Sequence, residues 1–334
     1  MKILIVGGCG FVGSNLAIYL RENKIGTKIS TLDNLCRKGS ILNLDRLKKK
    51  KILNFNKDVS KSNSFRKIPK YDLIIDCCAE AAVEASKKEI DRVFNTNLIG
   101  TYNILKKCAK DKSNFIFLSS SRVYSIEKLR KLKKKSFLIN EKFSTSGPKS
   151  IYGFSKYSSE HLIKEFAFLY KIKFIINRFG VISGPWQFGK QDQGFVSLWV
   201  WKHMNKKKLS YTGFGGKGSQ MRDVIHIFDV CKLIELQIKK INKINNLILN
   251  VGGGIKNTIS LKTLTKFCQK ITFNKIKILS IKKTSNYDIP YYTTNNSKVS
   301  KIYKWKPKIK IYSIVQDLYK WMSLNRKILK NYIK

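Results

Sequence analysis

The chain has 334 residues, 43% of them hydrophobic, enough for one large domain or two lobes around a full core. Its 67 Lys and Arg against 21 Asp and Glu give a formal net charge of +46, yet the basic runs at 48–51, 133–135 and 206–208 are short and separated. That charge fits a polyanion partner, or a lysine-rich surface from AT-rich coding in which Lys, Asn and Ile rise together; its dispersal favours the second, and no nucleic-acid partner is expected.

The predicted elements begin with a strand at Lys2–Val6 (KILIV), followed by Gly7-Gly8-Cys9-Gly10-Phe11-Val12-Gly13 and a helix over 14–22. Strand, glycine turn and helix in that order are the context of a dinucleotide-binding loop. Gly7 permits the tight turn, Gly10 lets a pyrophosphate approach the backbone, and Gly13 lets helix and strand pack closely. The helix N-terminus offers free N–H groups to phosphates. The spacing is G-x-x-G-x-x-G, and a glycine-rich turn of any α/β protein is the competing reading. A second strand over 28–32 ends in Asp33, placed to hydrogen-bond a ribose 2′-hydroxyl and repel a 2′-phosphate. This favours NAD over NADP, with Arg37 near enough to meet a 2′-phosphate. A third strand over 52–56 closes in Asp58 and Val59, placed for an adenine contact, and a fourth over 71–77 leads into Ala79-Glu80-Ala81.

A long amphipathic helix is predicted over 91–110, containing Asn97, and a fifth strand over 114–118 leads into Ser119-Ser120-Ser121. A helix over 152–170 and a sixth strand over 173–177 follow, and after Gly180 the chain turns to Gly-, Pro-, Trp- and Gln-rich loops. Strand–helix alternation marks a doubly wound parallel sheet. The expected division is a cofactor domain over 1–180, with segments around 225–270 returning to it, and a smaller α/β substrate lobe over 181–334. No apolar run reaches the ~18 residues of a transmembrane helix, so no membrane insertion is expected, and the first residues read as strand rather than signal peptide. Seven scattered cysteines without a C-x-x-C pair are expected to be reduced thiols of a cytoplasmic protein, with Cys77 and Cys78 in the core. His161, His203 and His226 lack metal-ligand spacing, so no metal is expected.

Three residues fall at strand ends or helix starts on the carboxyl edge of the predicted sheet: Ser120, Tyr152 and Lys156. Tyr152 and Lys156, four apart, share a helix face. A tyrosine with a pKa near ~10 is a poor base at neutral pH, and a nearby ammonium lowers that value. Ser120 is placed to orient a substrate hydroxyl, and the three together suit proton removal coupled to hydride transfer. A Y-x-x-x-K pair on an ordinary helix face is the competing reading.

On GGCGFVG, LDN, NTNLIGT, SSSRVY, YGFSK and RDVIHIFDV, the chain resembles the extended short-chain dehydrogenases/reductases, the NAD-dependent epimerase/dehydratase family, over nearly its whole length. The resemblance implies a Rossmann domain with a seven-stranded sheet, tightly bound NAD, and a homodimer through the helices at 91–110 and 152–170. It implies catalytic Ser120, Tyr152 and Lys156. It also implies cofactor contacts from Gly7, Gly10, Phe11, Val12, Gly13, Asp33, Asn34, Arg37, Asp58, Val59, Ala79, Ala81, Asn97, Tyr152, Lys156 and Val181. Dehydratases of the family carry Asp-Glu after the catalytic Ser/Thr; here Ser121 and Arg122 stand there, which argues against water elimination. The stretch GPWQFG (184–189) with Asp192-Gln193-Gly194, together with DNLCRKGS and SYTGFGGKGSQMRDVIHIFDV, resembles the subgroup that epimerises CDP-sugars at carbon 2. On that reading Ser121, Arg122, Gln187, Gln193 and Arg222 meet a nucleotide-sugar, Arg222 at the diphosphate. An internal Arg222–Asp223 ion pair is the competing reading. Val181 where many members have Asn, and Ser125 where they have Gly, depart from the family pattern. Another nucleotide-sugar epimerase, a nucleotide-sugar reductase, and a non-enzymatic NAD-sensing or polyanion-binding protein are the rival readings.

Overall fold

In a computed structural model, residues 1–81, 89–132, 137–189 and 194–333 are described. They run β1 (Lys2–Val6), α1 (Phe11–Glu22), β2 (Lys28–Leu32), α2 (Ser40–Lys49), β3 (Leu53–Phe55), β4 (Leu73–Asp76) and α3 (Ile90–Phe94). Next come α4 (Gly100–Asp111), β5 (Asn114–Ser120), α5 (Ile126–Arg130), α6 (Ile151–Tyr170), β6 (Phe174–Phe179), β7 (Val181–Ser183) and α7 (Phe195–Met204). The chain continues with β8 (Leu209–Thr212), β9 (Met221–His226), α8 (Ile227–Lys240), β10 (Leu247–Val251), β11 (Thr258–Ser260) and α9 (Leu261–Thr272). The last elements are β12 (Ile278–Ile281), β13 (Tyr291–Tyr292), α10 (Ser297–Tyr303), α11 (Ile311–Leu324) and α12 (Arg326–Leu329).

The chain divides into two compact units: residues 1–123, 150–178 and 231–249, and residues 124–149, 179–230 and 250–334. Both boundaries differ from the sequence expectation. Residues 124–149 join the second unit, and the segment returning to the first is 231–249, so that α9 belongs to the second.

The first unit is built on a seven-stranded sheet in the order β10-β6-β5-β4-β1-β2-β3, with β5, β4, β1, β2 and β3 paired in parallel. The β-branched run of β1 and the LIID of β4 are buried almost throughout because helices cover both faces of such a sheet. Strand order reverses at β1, with β2 on one side and β4 on the other, and ligands bind at the carboxyl edge of such a switch point. Helix α6 starts where Ser150 Oγ accepts the Gly153 N–H at 3.0 Å, an N-cap that sets the phase of Tyr152 and Lys156. The helix expected over 91–110 is interrupted: Asn95–Ile99 form a π-helical turn between α3 and α4. Such turns hold one extra residue and recur at functional sites.

The second unit carries a sheet in which β9 pairs with β11, β13 and β7, and a two-stranded β8–β12 sheet. Its core gathers Trp199, Trp201 and Trp321 with aliphatic side chains of α7, α9 and α11. No helix among the described residues is long and apolar enough to cross a membrane.

Candidate active site

The first unit contains a cleft of about 550 Å³ at the carboxyl ends of β1, β2 and β4. Gly7 and Gly10 line it, together with Asp33, Asn34, Arg37, Asp58, Val59 and Ala79 of the predicted cofactor set. Gly7 has φ +73°, and a Cβ there would stand 2.8 Å from Cys78 Cα. At Gly13 a Cβ would lie 2.3 Å from the Gly7 carbonyl oxygen. The turn is therefore drawn tight enough to exclude side chains, and Phe11, Val12 and Gly13 open α1 directly behind Gly10, its N-cap. This is a backbone cradle for a pyrophosphate.

Asp33 holds the turn from β2. Its carboxylate accepts the Cys9 N–H at 3.0 Å and the Leu35 N–H at 2.8 Å. Burial pushes its pKa up, against those N–H groups and the Arg37 charge. Asp58 is also partly buried, but the Ser60 N–H and hydroxyl, the Asn34 amide (3.1 Å) and Lys61 hold it below the usual carboxylate range. Asn34 thus links the ends of β2 and β3. Ala81 is half-buried just after the cleft residues, and Asn97 is buried within the π-helical turn.

Ser120 ends β5, and Ser121 and Arg122 continue as a 3-10 turn. Ser120 Oγ accepts the Arg122 N–H at 3.2 Å and lies near enough to Tyr152 to act on its phenol. Burial pushes the Tyr152 phenol above its ordinary pKa, while the nearby Ser120 hydroxyl and the charges of Arg122 and Arg37 pull it down. Lys156 is fully buried, its Nζ 3.9 Å from the Phe117 ring centroid. Burial lowers its pKa, opposed first by the Asp76 carboxylate. Asp76, also buried, is raised by desolvation and accepts hydrogen bonds from Thr101 Oγ1 (3.1 Å) and the Cys78 N–H (2.9 Å). The Asp76 carboxylate thus acts on the ammonium through space, and it is a residue the sequence reading passed over. A charged residue closing the apolar run YDLIID is the signal that could have found it.

Cys77 and Cys78 line the cleft just after β4, and Cys78 also packs against the apolar core of the first unit, as expected. Burial pushes both thiols up. Glu80 and Arg92 also line the cleft and were not anticipated; an acid directly after Ala79 was the available clue.

The remaining predicted residues belong to the second unit. Val181 packs from β7 against its aromatic core. Gln187 accepts from Ser183 Oγ (2.8 Å) and donates to the Ile182 carbonyl (3.0 Å), while Gln193 lies outside the described residues. Arg222 pairs with Asp288 at 2.7 Å and donates to the carbonyls of Ile289 and Met221. It does not pair with its neighbour Asp223, because successive strand residues face opposite ways. Asp223 is buried, accepts the N–H groups of Gly254 (3.0 Å) and Thr294 (3.2 Å), and is pushed up to about 6 by desolvation.

Among proteins of known identity, the chain is 28% identical to CDP-paratose 2-epimerase of Salmonella typhi, over 97% of this chain and 99% of that protein. It is 30% identical to dTDP-D-glucose 4,6-dehydratase of Dictyostelium discoideum, over 75% of this chain and 58% of that one. The structure matches UDP-glucose 4-epimerase of Thermotoga maritima, solved with UDP-glucose, with a TM-score of 0.83 and 25% identity over 98% of this chain and 100% of that chain. Residues 3–252 match the family described as NAD dependent epimerase/dehydratase. With the glycine cradle, the acidic end of β2 and the Ser120–Tyr152 pair in one unit, the chain belongs to the NAD-dependent epimerase/dehydratase family of enzymes.

Proposed function

We propose that this enzyme is a nucleotide-sugar epimerase acting at carbon 2 of a CDP-sugar such as CDP-paratose. The observation that carries the epimerase reading is Ser120 beside the Tyr152 phenol, with Ser121 and Arg122 next in the chain and no acid pair there to expel water. The CDP-sugar reading rests on the full-length similarity to CDP-paratose 2-epimerase and on the GPWQFG and DNLCRKGS stretches.

NAD, when bound, supplies the hydride acceptor and donor and a positive charge. Asp33 and the Gly7–Gly13 turn would hold its adenosine and pyrophosphate. Ser120 would orient the sugar hydroxyl, and the Tyr152 oxygen, ionised once the cofactor's positive charge lies beside it, would take that hydroxyl's proton as the same carbon gives up hydride. The keto sugar turns over in the site, the carbon regains hydride on its other face, and Tyr152 returns the proton. No net oxidation occurs, so no cofactor is consumed. Ser121, Arg122, Gln187, Gln193 and Arg222 are the proposed substrate contacts, Arg222 reaching the diphosphate by charge-assisted hydrogen bonds, and Val181 a proposed cofactor contact.

The fold match to a UDP-glucose 4-epimerase supports a second reading, epimerisation of a UDP-sugar at carbon 4. Homodimerisation is supported by Ile99, Tyr102, Phe154, Phe168 and Leu169, which leave large apolar surface exposed on the π-helical turn, α4 and α6. The seven cysteines are free, in keeping with a cytoplasmic enzyme.

The test is NMR of a CDP-, UDP-, dTDP- and GDP-sugar panel incubated with the purified enzyme and no added cofactor. Inversion at carbon 2 of a CDP-sugar is the expected result. Inversion of a UDP-sugar at carbon 4 replaces the first reading with the second. Turnover that requires stoichiometric NAD(P)H overturns both in favour of a reductase.

A further inference from the structure

Glu80 carries a bridge between two arginines that the proton and hydride steps do not use. One carboxylate oxygen meets Arg37 Nη2 at 2.8 Å, and the other meets Arg92 Nη2 at 2.8 Å. The same Arg37 nitrogen also donates to the Ala79 carbonyl at 3.2 Å. Arg37 follows β2 and Glu80 follows β4, and these two strands flank β1 on opposite sides. With strands spaced roughly 4.8 Å apart, the pair spans roughly 10 Å across the carboxyl end of β1, where the glycine turn begins. Arg37, Glu80 and Arg92 all line the cleft. The Arg37 charge acts on Asp33 on one wall and on Cys78 on the other.

The anchor is firm. The Glu80 side chain is 11% exposed, against 30% for Arg37 and 50% for Arg92. Its main chain is held at both ends by Asn97, which accepts the Glu80 N–H at 2.8 Å and donates to the Glu80 carbonyl at 3.1 Å. A fixed carboxylate with a long, half-exposed guanidinium reaching to it from the opposite wall is built like a latch.

We propose that Glu80 is a cofactor-positioning residue: through Arg37 it closes a latch across the cleft that retains the reduced dinucleotide between the two hydride transfers. A reaction that takes hydride from its substrate and then gives it back stalls if the reduced cofactor leaves in between. Slow release is therefore a requirement of the chemistry, and an ion pair joining the two walls supplies it. The inference rests on NAD as cofactor and is independent of which sugar is used.

The test is the NADH dissociation rate of the full-length protein, followed by NADH fluorescence on chasing with excess ADP-ribose, with no sugar present. Glu80→Gln and Arg37→Met each release NADH about tenfold faster or more, the factor that ~1.4 kcal/mol of lost interaction gives. The double variant is no faster than the quicker single one, since both cut one link. Arg92→Met, which removes only the outer arm, stays within about threefold. If Glu80→Gln does not fold, Glu80→Asp, one methylene too short to span the gap, takes its place. Unchanged release in the Glu80 and Arg37 variants overturns the latch. An Arg92→Met effect as large as that of Glu80→Gln also overturns it, by showing that the cluster only holds the local fold. Either outcome leaves the sugar panel unaffected, so the two readings fail separately.

Discussion

Asn97 donates to Ser155 Oγ at 3.0 Å, which ties the π-helical turn to α6 between Tyr152 and Lys156. The same amide satisfies both main-chain groups of Glu80. One buried side chain therefore ties the β4 loop to α6. Replacing Asn97 by Ala leaves the Glu80 N–H and carbonyl without this partner. Each buried orphan costs about 1–3 kcal/mol, so urea unfolding of Asn97→Ala should show a loss of about 2–6 kcal/mol. A loss under ~0.5 kcal/mol, the range of an ordinary surface change, would show that the amide is not the tie.

Gly13→Ala tests the glycine cradle. The new Cβ would meet the Gly7 carbonyl oxygen at 2.3 Å and Gly8 Cα at 2.8 Å, both backbone atoms that cannot rotate aside. Helix propensity favours Ala by about 1 kcal/mol, but forcing the turn open costs about 1–3 kcal/mol. NAD binding should weaken about tenfold to a hundredfold, read as NAD released by acid from the purified protein. A stoichiometric NAD complement in the variant would contradict the cradle.

Tyr152→Phe removes one oxygen, the one that Ser120 acts on, and keeps the ring. Turnover should fall by about 10²–10⁴, the usual weight of a positioned acid–base group, while NAD stays bound. Surviving activity would mean that another group takes the proton.

Two buried groups of the second unit make opposite contributions to stability as the pH changes. Asp223 is pushed up from 3.8 to about 6 by desolvation, so its contribution is complete below 3.8 and is lost as pH rises through 6. His226 is lowered from 6.5 to about 4 by burial, so its contribution is complete above 6.5 and is lost as pH falls through 4. Each amounts to about 3 kcal/mol at 1.36 kcal/mol per pH unit, so between pH 4 and 6 they nearly offset one another. Asp223→Asn should unmask the histidine, with stability rising from pH 4 to 6.5 more steeply than in the parent. His226→Asn should do the reverse. Urea midpoints at four pH values check this, and profiles parallel to the parent would refute it.

The local elements were legible because their signals are local. The run KILIV and the strand over 28–32 have the boundaries read from the sequence, and the helix predicted over 152–170 starts one residue earlier. The π-helical turn at Asn95–Ile99 was not legible, because propensity does not register one extra residue that is held by tertiary hydrogen bonds. Nor was the strand Leu247–Val251, whose pairing partner lies far away in sequence.

By itself, the sequence determined the dinucleotide-binding turn, the acidic end of β2, and the presence of Ser120, Tyr152 and Lys156 at the edge of a parallel sheet. Those follow from residue spacing within one strand or helix. Only the tertiary structure decided which charges act on them: Asp76 against Lys156, Arg122 and Arg37 on Tyr152, Asp288 rather than Asp223 on Arg222, and Glu80 across the cleft from Arg37. Electrostatic partners are set by distance through space, and strand order brings β2 and β4 to either side of β1 from positions some forty residues apart.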